Sequence, residues 1–474
     1  MHTKLKTYRW GFISELNTWA LLCLTVLMFL IIACTEFVEV DLPKNQLSTE
    51  AVLNDPSTVD AALKSIYGKM RTNRINRQMG LYTDELEEGP GYSGLPSPYQ
   101  NHTLLANDSK VKSIWGSAYN QIYTANLIIE GLENSVTLNL EDRNQFNGEA
   151  LFIRAYLHLL LVELFGDVPY ITTTDYIVNT TVSRMPRVLV YEHIIADLIL
   201  AQSLLPDTDF SGDHTRPYAT AAEAVLARAY LYSEDWALAE AAANNVIAEF
   251  GDLLPDLSQV FLKDAASTIW QFKPDAEGEN ADGDQFIIIG SPITVLSDLL
   301  YFAFESGTIF SPGDQRQSGE TAWIKEVSTS LGTFRHAYKY KERGLTFSPN
   351  GTPSSKEYPI QLRLAEQYLI RGEARAHLGD IPGAQADINA IRNRAGLGNT
   401  TASTLEALLE AILQERRVEL FTEKGHRWFD LKRMGKAKEV LEPIKPGWRD
   451  TDILLPIPES EILLNPNLTQ NDGY

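Results

Sequence analysis

QLRLAEQYLIRGEARAHLGDIPGAQADINAIRNRA, residues 361–395, reads as two helices folded against each other. Leu362, Ala365, Leu369, Gly372 and Ala376 recur every three or four residues, and Ala384, Ile388, Ile391 and Ala395 make a second stripe. That spacing lines up one face of an α-helix. Small side chains in both stripes let the two axes approach closely. Gly379-Asp380-Ile381 forms the turn, so the spacing predicts helices over Gln361–Leu378 and Pro382–Ala395, the second stopped at Gly396.

The same plan appears upstream. Thr220–Tyr232 and Trp236–Phe250 are alanine-rich and joined by Ser233-Glu234-Asp235. The stripe Trp115, Ala118, Ile122, Ala125, Ile129, Leu132 predicts another helix, with Asp108 or Ser109 as its cap. Glu149–Phe165 is a further one, closed by Gly166 with Pro169 beyond. Ser403-Thr404-Leu405-Glu406 fits a capping box opening one more. These pairs resemble tetratricopeptide units, although no strict 34-residue period runs through the chain. The expected fold is mainly α, built on tetratricopeptide-like helix pairs. Two irregular regions interrupt them, about 80–107 and 253–358, rich in Gly, Pro, Asp and aromatic residues. Rigid helices carrying long irregular segments suit a scaffold that presents a binding face.

The N-terminus holds Lys4, Lys6 and Arg9, then an uncharged apolar run from Trp19 to Ala33, then Cys34. Basic start, short apolar run and small residue before the cut are the parts of an export signal. The run is shorter than the roughly 20 residues that a spanning helix needs. A small residue followed at once by cysteine resembles a bacterial lipobox, in which Cys34 takes the lipid and becomes the first residue. We therefore divide the chain into a signal (1–33), a lipidated tether (34–54) and a binding domain (55–474) with parts at about 55–250 and 251–474. Losing Lys4, Lys6, Arg9 and Glu15 moves the formal charge from −21 to −23. Phosphate backbones would be repelled, which excludes nucleic acid as a partner. Cys23 leaves with the signal and Cys34 is lipidated, so no thiol remains for disulfides, catalysis or metal.

Catalytic signatures are absent: there is no H-E-x-x-H, Walker loop, G-x-G-x-x-G or G-x-S-x-G. His158 sits on an apolar helix and reads as a core histidine rather than a metal ligand. The acidic stretch Glu277–Asp284 departs from the EF-hand pattern and makes only a weak case for calcium. Glu415, Arg416, Arg417, Glu419, Arg427 and Asp430 form a dense charged cluster, expected to be an ion network between helices. Asp84-Glu85 reads as a loop-closing pair rather than as glycosidase carboxylates.

Several blocks, in this order, resemble the SusD/RagB family of outer-membrane nutrient-binding lipoproteins. They are Ala61–Tyr67, Gly148–Tyr156, Leu164–Pro169, Gly313–Arg316, Arg363–Glu366, Glu415–Leu420, Gly425–Leu431 and the ending from Leu455 to Tyr474. The resemblance covers nearly the whole mature chain. It implies a SusD-like α-superhelix of four tetratricopeptide-like pairs with a loop-rich ligand-binding portion, and no cofactor. It implies an outer-membrane, outward-facing lipoprotein acting as the hinged lid of a SusC-like TonB-dependent transporter, with an oligosaccharide, or in some members a peptide, as cargo. Two other readings stay open: a surface glycoside hydrolase, and a helical scaffold that binds only proteins.

Sugars offer apolar ring faces and many hydroxyls, so aromatic side chains beside Asn, Asp and Arg suit them. The irregular regions supply Tyr82, Asp84, Tyr92, Tyr99 and Asn101, then Trp270, Tyr301 and Arg316, with Tyr92, Tyr99 and Trp270 foremost. For each, the competing role is packing within its own loop, and Arg316, inside a recurring family block, has the strongest structural claim.

Overall fold

A computed structural model of the chain describes residues 54–474 except 73–74, 95–96, 134, 136, 275–277, 279, 305–312, 345 and 348–352. The signal, Cys34 and the tether up to residue 53 lie outside the described residues. The first half runs α1 (Pro56–Arg71), α2 (Ile75–Tyr82), β1 (Leu86–Glu88), α3 (Pro98–Asn101), α4 (Ser109–Glu133), α5 (Leu140–Phe165), α6 (Tyr176–Asn179), α7 (Arg187–Leu204), α8 (Ala219–Tyr232) and α9 (Trp236–Phe250). Next come β2 (Thr268–Gln271), α10 (Ala281–Phe286), β3 (Thr294–Leu296), α11 (Asp298–Ala303), β4 (Ile324–Thr329), β5 (Gly332–Ala337), β6 (Thr346–Phe347), β7 (Pro353–Ser354) and β8 (Ile360–Arg363). The chain closes with α12 (Leu364–Leu378), α13 (Ile381–Arg394), α14 (Leu405–Glu419), α15 (His426–Arg433), α16 (Ala437–Leu441) and α17 (Glu459–Leu464).

Helices dominate, and they pack as neighbours: α4 on α5, α5 on α7, α8 on α9, α12 on α13, with α9 lying against α12. Caps set the ends. Asp108 accepts from the Lys110 and Val111 amides at 2.9 and 3.0 Å, opening α4. Asn139 accepts from the Asp142 amide at 2.8 Å, so α5 begins nine residues before Glu149. Its first turns, LEDRNQFNG, carry no apolar stripe to read. Thr404, bonded to the Ala407 amide, opens α14, so the capping box expected through Glu406 does not form.

Gln361–Arg363 is not helical. It is strand β8, paired antiparallel with β2. The helical stripe runs on through Leu362, but a strand partner some ninety residues upstream takes these amides first. The four strand pairs are all two-stranded: β1–β3, β2–β8, β4–β5 and β6–β7.

The charged cluster is an interior frame. Glu419 receives Arg316, Arg363 and Arg394 at 2.9, 2.6 and 2.5 Å, and Arg316 also grips Asp314 and Glu415 at 2.7 Å each. Arg416 binds Asp430 at 2.7 Å, and Arg427 forks onto both oxygens of Asp84 at 2.8 Å. Arg417 reaches the same Asp84 at 2.6 Å. These guanidiniums hold the buried Asp84 carboxyl at about 2, against the desolvation that would raise it. The network ties the C-terminal helices to the loop after α2.

Candidate functional site

The two irregular regions meet. β1 and β3 pair antiparallel with Leu86 opposite Leu296, Glu87 opposite Val295 and Glu88 opposite Thr294. The pairing runs on into the loops: the Gly89 amide donates to Ile293 O and the Gly91 amide to Pro292 O, both at 3.0 Å. A Cβ at Gly89 would fall 2.2 Å from Pro292 O, and one at Gly91 2.8 Å from Pro292 N. Glycine at both positions is what lets the strands close.

Immediately after β3, Ser297 caps α11 by accepting from the Leu300 amide at 3.0 Å, and its own amide donates to Glu85 O at 3.0 Å. This short helix is therefore fixed to the β1 side before it presents any side chain. Leu300 and Ala303 turn into the core, while Leu299 and Phe302, three residues apart, are 46% and 53% exposed. Tyr301 packs edge-on to Phe302 with centroids 5.6 Å apart. The β4–β5 hairpin supplies Arg335, whose guanidinium lies 3.8 Å from the Tyr301 ring centroid. Arg335 also reaches Asp298 at 3.0 Å and Glu326 at 3.5 Å. On the β1 side Arg77 donates to Thr294 Oγ1 at 2.7 Å and stands 6.0 Å from the Tyr92 ring. Burial, and then the charge of Asp298, push the Glu87 carboxyl above its usual range.

The result is an exposed apolar ring, Phe302, beside the Arg335 guanidinium, with the Asp298 and Glu326 carboxylates next to it. A groove of about 320 Å³ between Trp236, His377, Leu409, Leu413 and Met434 lies elsewhere, among the paired helices.

Of the residues selected from sequence, Tyr301 reaches this face, while Tyr92 lies beside Arg77; both are half-buried. Asn101 is half-buried at the end of α3, where its carbonyl accepts from Gly447 N at 2.9 Å. The other five are interior, which corrects the expectation that they line a ligand surface. Tyr82 donates to Asp452 O at 2.8 Å, stacks on His102 and is fully buried. Tyr99 packs edge-on to Tyr82 and is fully buried. Trp270 on β2 is enclosed by Tyr67, Phe152, Tyr156 and Phe272. Asp84 and Arg316 belong to the ion network. Phe302, Leu299, Asp298 and Arg335 escaped the sequence reading. The Leu299–Phe302 spacing on one short turn was a usable signal, whereas nothing local places Arg335 over Tyr301.

His158 is a core histidine: its Nδ1 lies 2.8 Å from Arg154 O, its Nε2 accepts from the Ile171 amide at 3.2 Å, and burial pushes it down to about 3. In the acidic stretch, Asp282 is held by Asn76 and Lys424, and Asp284 by Arg343. Among the described residues no three His, Cys, Asp or Glu side chains converge as a metal site.

A mainly helical scaffold thus carries an exposed aromatic ring on its irregular segments. The chain belongs to the SusD family: residues 321–474 match the model of the SusD family, and residues 36–231 match that described as "Starch-binding associating with outer membrane". SusD-like protein P2 of Formosa agariphila is 30% identical, the match covering 95% of this chain and 98% of that protein. SusD-like protein P25 of the same organism is 25% identical over 94% and 97%. The fold matches a solved SusD-like protein of Bacteroides fragilis (TM-score 0.74, 21% identity, 91% of this chain and 100% of that one). It also matches a laminarin-binding SusD-like protein (0.73, 24%, 88% and 99%) and the surface glycan-binding protein A of Bacteroides fluxus (0.71, 23%, 88% and 99%).

Proposed function

We propose that the chain is a lipid-anchored outer-membrane receptor that binds an oligosaccharide at the Phe302 face and delivers it to a SusC-like TonB-dependent transporter, without cleaving it. The observation that carries this reading is the face itself: a half-exposed ring on a helix whose cap is fastened to the opposite strand. A ring held in place before the ligand arrives saves ordering entropy, which otherwise consumes much of a weak ligand's binding energy. Laminarin binding and surface glycan binding among the matched structures favour a glycan as cargo, and the lipobox at Cys34 favours anchoring to the outer membrane, facing outward. Acid–base cleavage of a glycoside needs two carboxyl groups flanking the bond, one of them kept protonated. Asp298 and Glu326 instead both engage one guanidinium, Arg335, at 3.0 and 3.5 Å. The test is a glycan and peptide array with the mature chain, followed by mass analysis of the bound species. Intact, saturably bound oligosaccharide supports the reading. Enzyme-dependent shortening would replace it with a hydrolase, and binding to peptides alone would change the cargo.

A further inference from the structure

The bases around α11 are already engaged by the protein itself, and that limits what its exposed ring can hold. From the β4–β5 hairpin, Arg335 reaches Asp298 at 3.0 Å and Glu326 at 3.5 Å, and its guanidinium lies 3.8 Å from the Tyr301 ring centroid. From α14, Arg417 donates to Leu299 O at 3.0 Å and reaches Asp84 at 2.6 Å, while Arg416 is buried on Asp430 at 2.7 Å. Lys325 is the other base of the hairpin. It stands opposite His336, whereas Glu326 stands opposite Arg335. Successive residues of a strand point to opposite faces, so Lys325 leaves on the far side, with its ammonium 4.6 Å from the Tyr338 ring. Lys445, the base toward Glu87, is buried and donates to Leu81 O at 2.7 Å.

The carboxylates stand differently. The side chains of Asp298 and Glu326 are 76% and 58% exposed. A carboxylate has about four acceptor positions on its two oxygens, so one contact with Arg335 leaves each of them acceptors for a ligand. Glu87, on β1, feels the sign of the local field: burial, and then Asp298, raise its carboxyl. A further negative group placed here meets the same opposition, and the formal charge of the whole chain, −21, acts in the same direction. Recognition of a sulfate or a uronate needs the reverse, guanidinium or ammonium groups available to fork onto oxygens. Sugar hydroxyls need acceptors beside an apolar surface, and Phe302 and Leu299 give that surface.

We propose that the Phe302 face selects uncharged oligosaccharides and turns away sulfated and uronic ones, with Asp298 and Glu326 as the selecting residues, because they occupy Arg335 and keep oxygens for hydroxyls. This selectivity presupposes the glycan binding proposed above. The test is titration of the mature Cys34→Ala chain with neutral gluco-, manno-, xylo- and galacto-oligosaccharides, the sulfated form of each, oligouronates and chitosan oligosaccharides. At low salt the best neutral ligand should bind at least tenfold tighter than its own sulfated form. Salt at about 1 M shortens the reach of charge to about 3 Å, so the gap should narrow there while the neutral affinity stays within twofold. The double variant Asp298→Asn with Glu326→Gln, which releases Arg335, should bind the sulfated form at least tenfold tighter than wild type does, and Glu326→Gln alone should move the same way. A sulfated, uronic or chitosan ligand that binds wild type as tightly as the best neutral one overturns the selectivity and leaves glycan binding standing. A gap that neither variant narrows, at a normal melting temperature, overturns the part given to the two carboxylates. Failure of every glycan to bind overturns glycan binding and the selectivity with it.

Discussion

Trp270→Ala separates a core ring from a binding platform. Trp270 is fully buried, with Phe152 at 4.9 Å, Phe272 at 5.0 Å, Tyr156 at 5.2 Å and Tyr67 at 6.3 Å between ring centroids. Among the described residues its indole nitrogen has no hydrogen-bond partner, so truncation strands no polar group there and the cost is packing. Removing an enclosed aromatic side chain costs about 3–5 kcal/mol. Four ring contacts, each worth about 0.5–1.5 kcal/mol beyond area, place this site toward the upper end. For the body from Asn54 to Tyr474 the unfolding entropy is roughly 0.9 kcal/mol/K at the midpoint, so ~4 kcal/mol lowers the melting temperature by about 4–5 °C. Affinity for the best-bound oligosaccharide should stay within twofold, because no atom of Trp270 reaches solvent. Calorimetry and titration on the same preparation decide it. A normal melt with lost binding would return Trp270 to the ligand surface and refute the packing argument.

Arg427→Leu leaves the buried Asp84 with Arg417 as its remaining guanidinium, and breaking such a pair costs about 3–5 kcal/mol; denaturant unfolding should register it, and a loss below 1 kcal/mol would contradict the proposed frame. Glu85 is raised to about 8 by burial and then by Asp84. Since the folded value exceeds the usual 4.5, its contribution is fully present below pH 4.5 and is lost as pH rises through 8. Glu85→Gln should therefore gain on wild type in melting temperature between pH 5 and 8.5, and a constant difference would argue against a protonated Glu85. Cys34→Ala should release the folded chain from the outer membrane, as fractionation would reveal, and unchanged detergent-resistant anchoring would sink the lipobox reading.

The helix pairs were legible because their stripes are local. Ala376 packs with Ala384 and Ile388, all within thirteen residues, so period and turn suffice to place them. Where the deciding partner is remote, the sequence misleads: Leu362 continues the stripe of α12, yet its backbone pairs with Trp270. The ligand candidates failed for the same reason. An aromatic residue in an irregular segment looks alike whether it faces water or the core. Tyr82 is covered by Tyr99, His102 and Trp428, a matter of tertiary packing rather than of neighbours in sequence. The ion network was readable as a network, since Arg and Glu recur at helical spacing on α14, but the arrival of Asp84 from 343 residues away was not. Of the proposed sugar face, the two irregular regions and Tyr301 could be named, but the β1–β3 pairing that joins the regions could not.

The central claim is that a glycan rests on the α11 face and leaves uncleaved. Titrate the mature Cys34→Ala chain, and the same chain carrying Phe302→Ala, with the oligosaccharide that binds best on an array. Truncating a central aromatic contact costs about 2 kcal/mol, so the account predicts roughly thirtyfold weaker binding at an unchanged melting temperature, with the ligand recovered at its original mass. Equal affinity in the two proteins, or a shortened ligand, would contradict it.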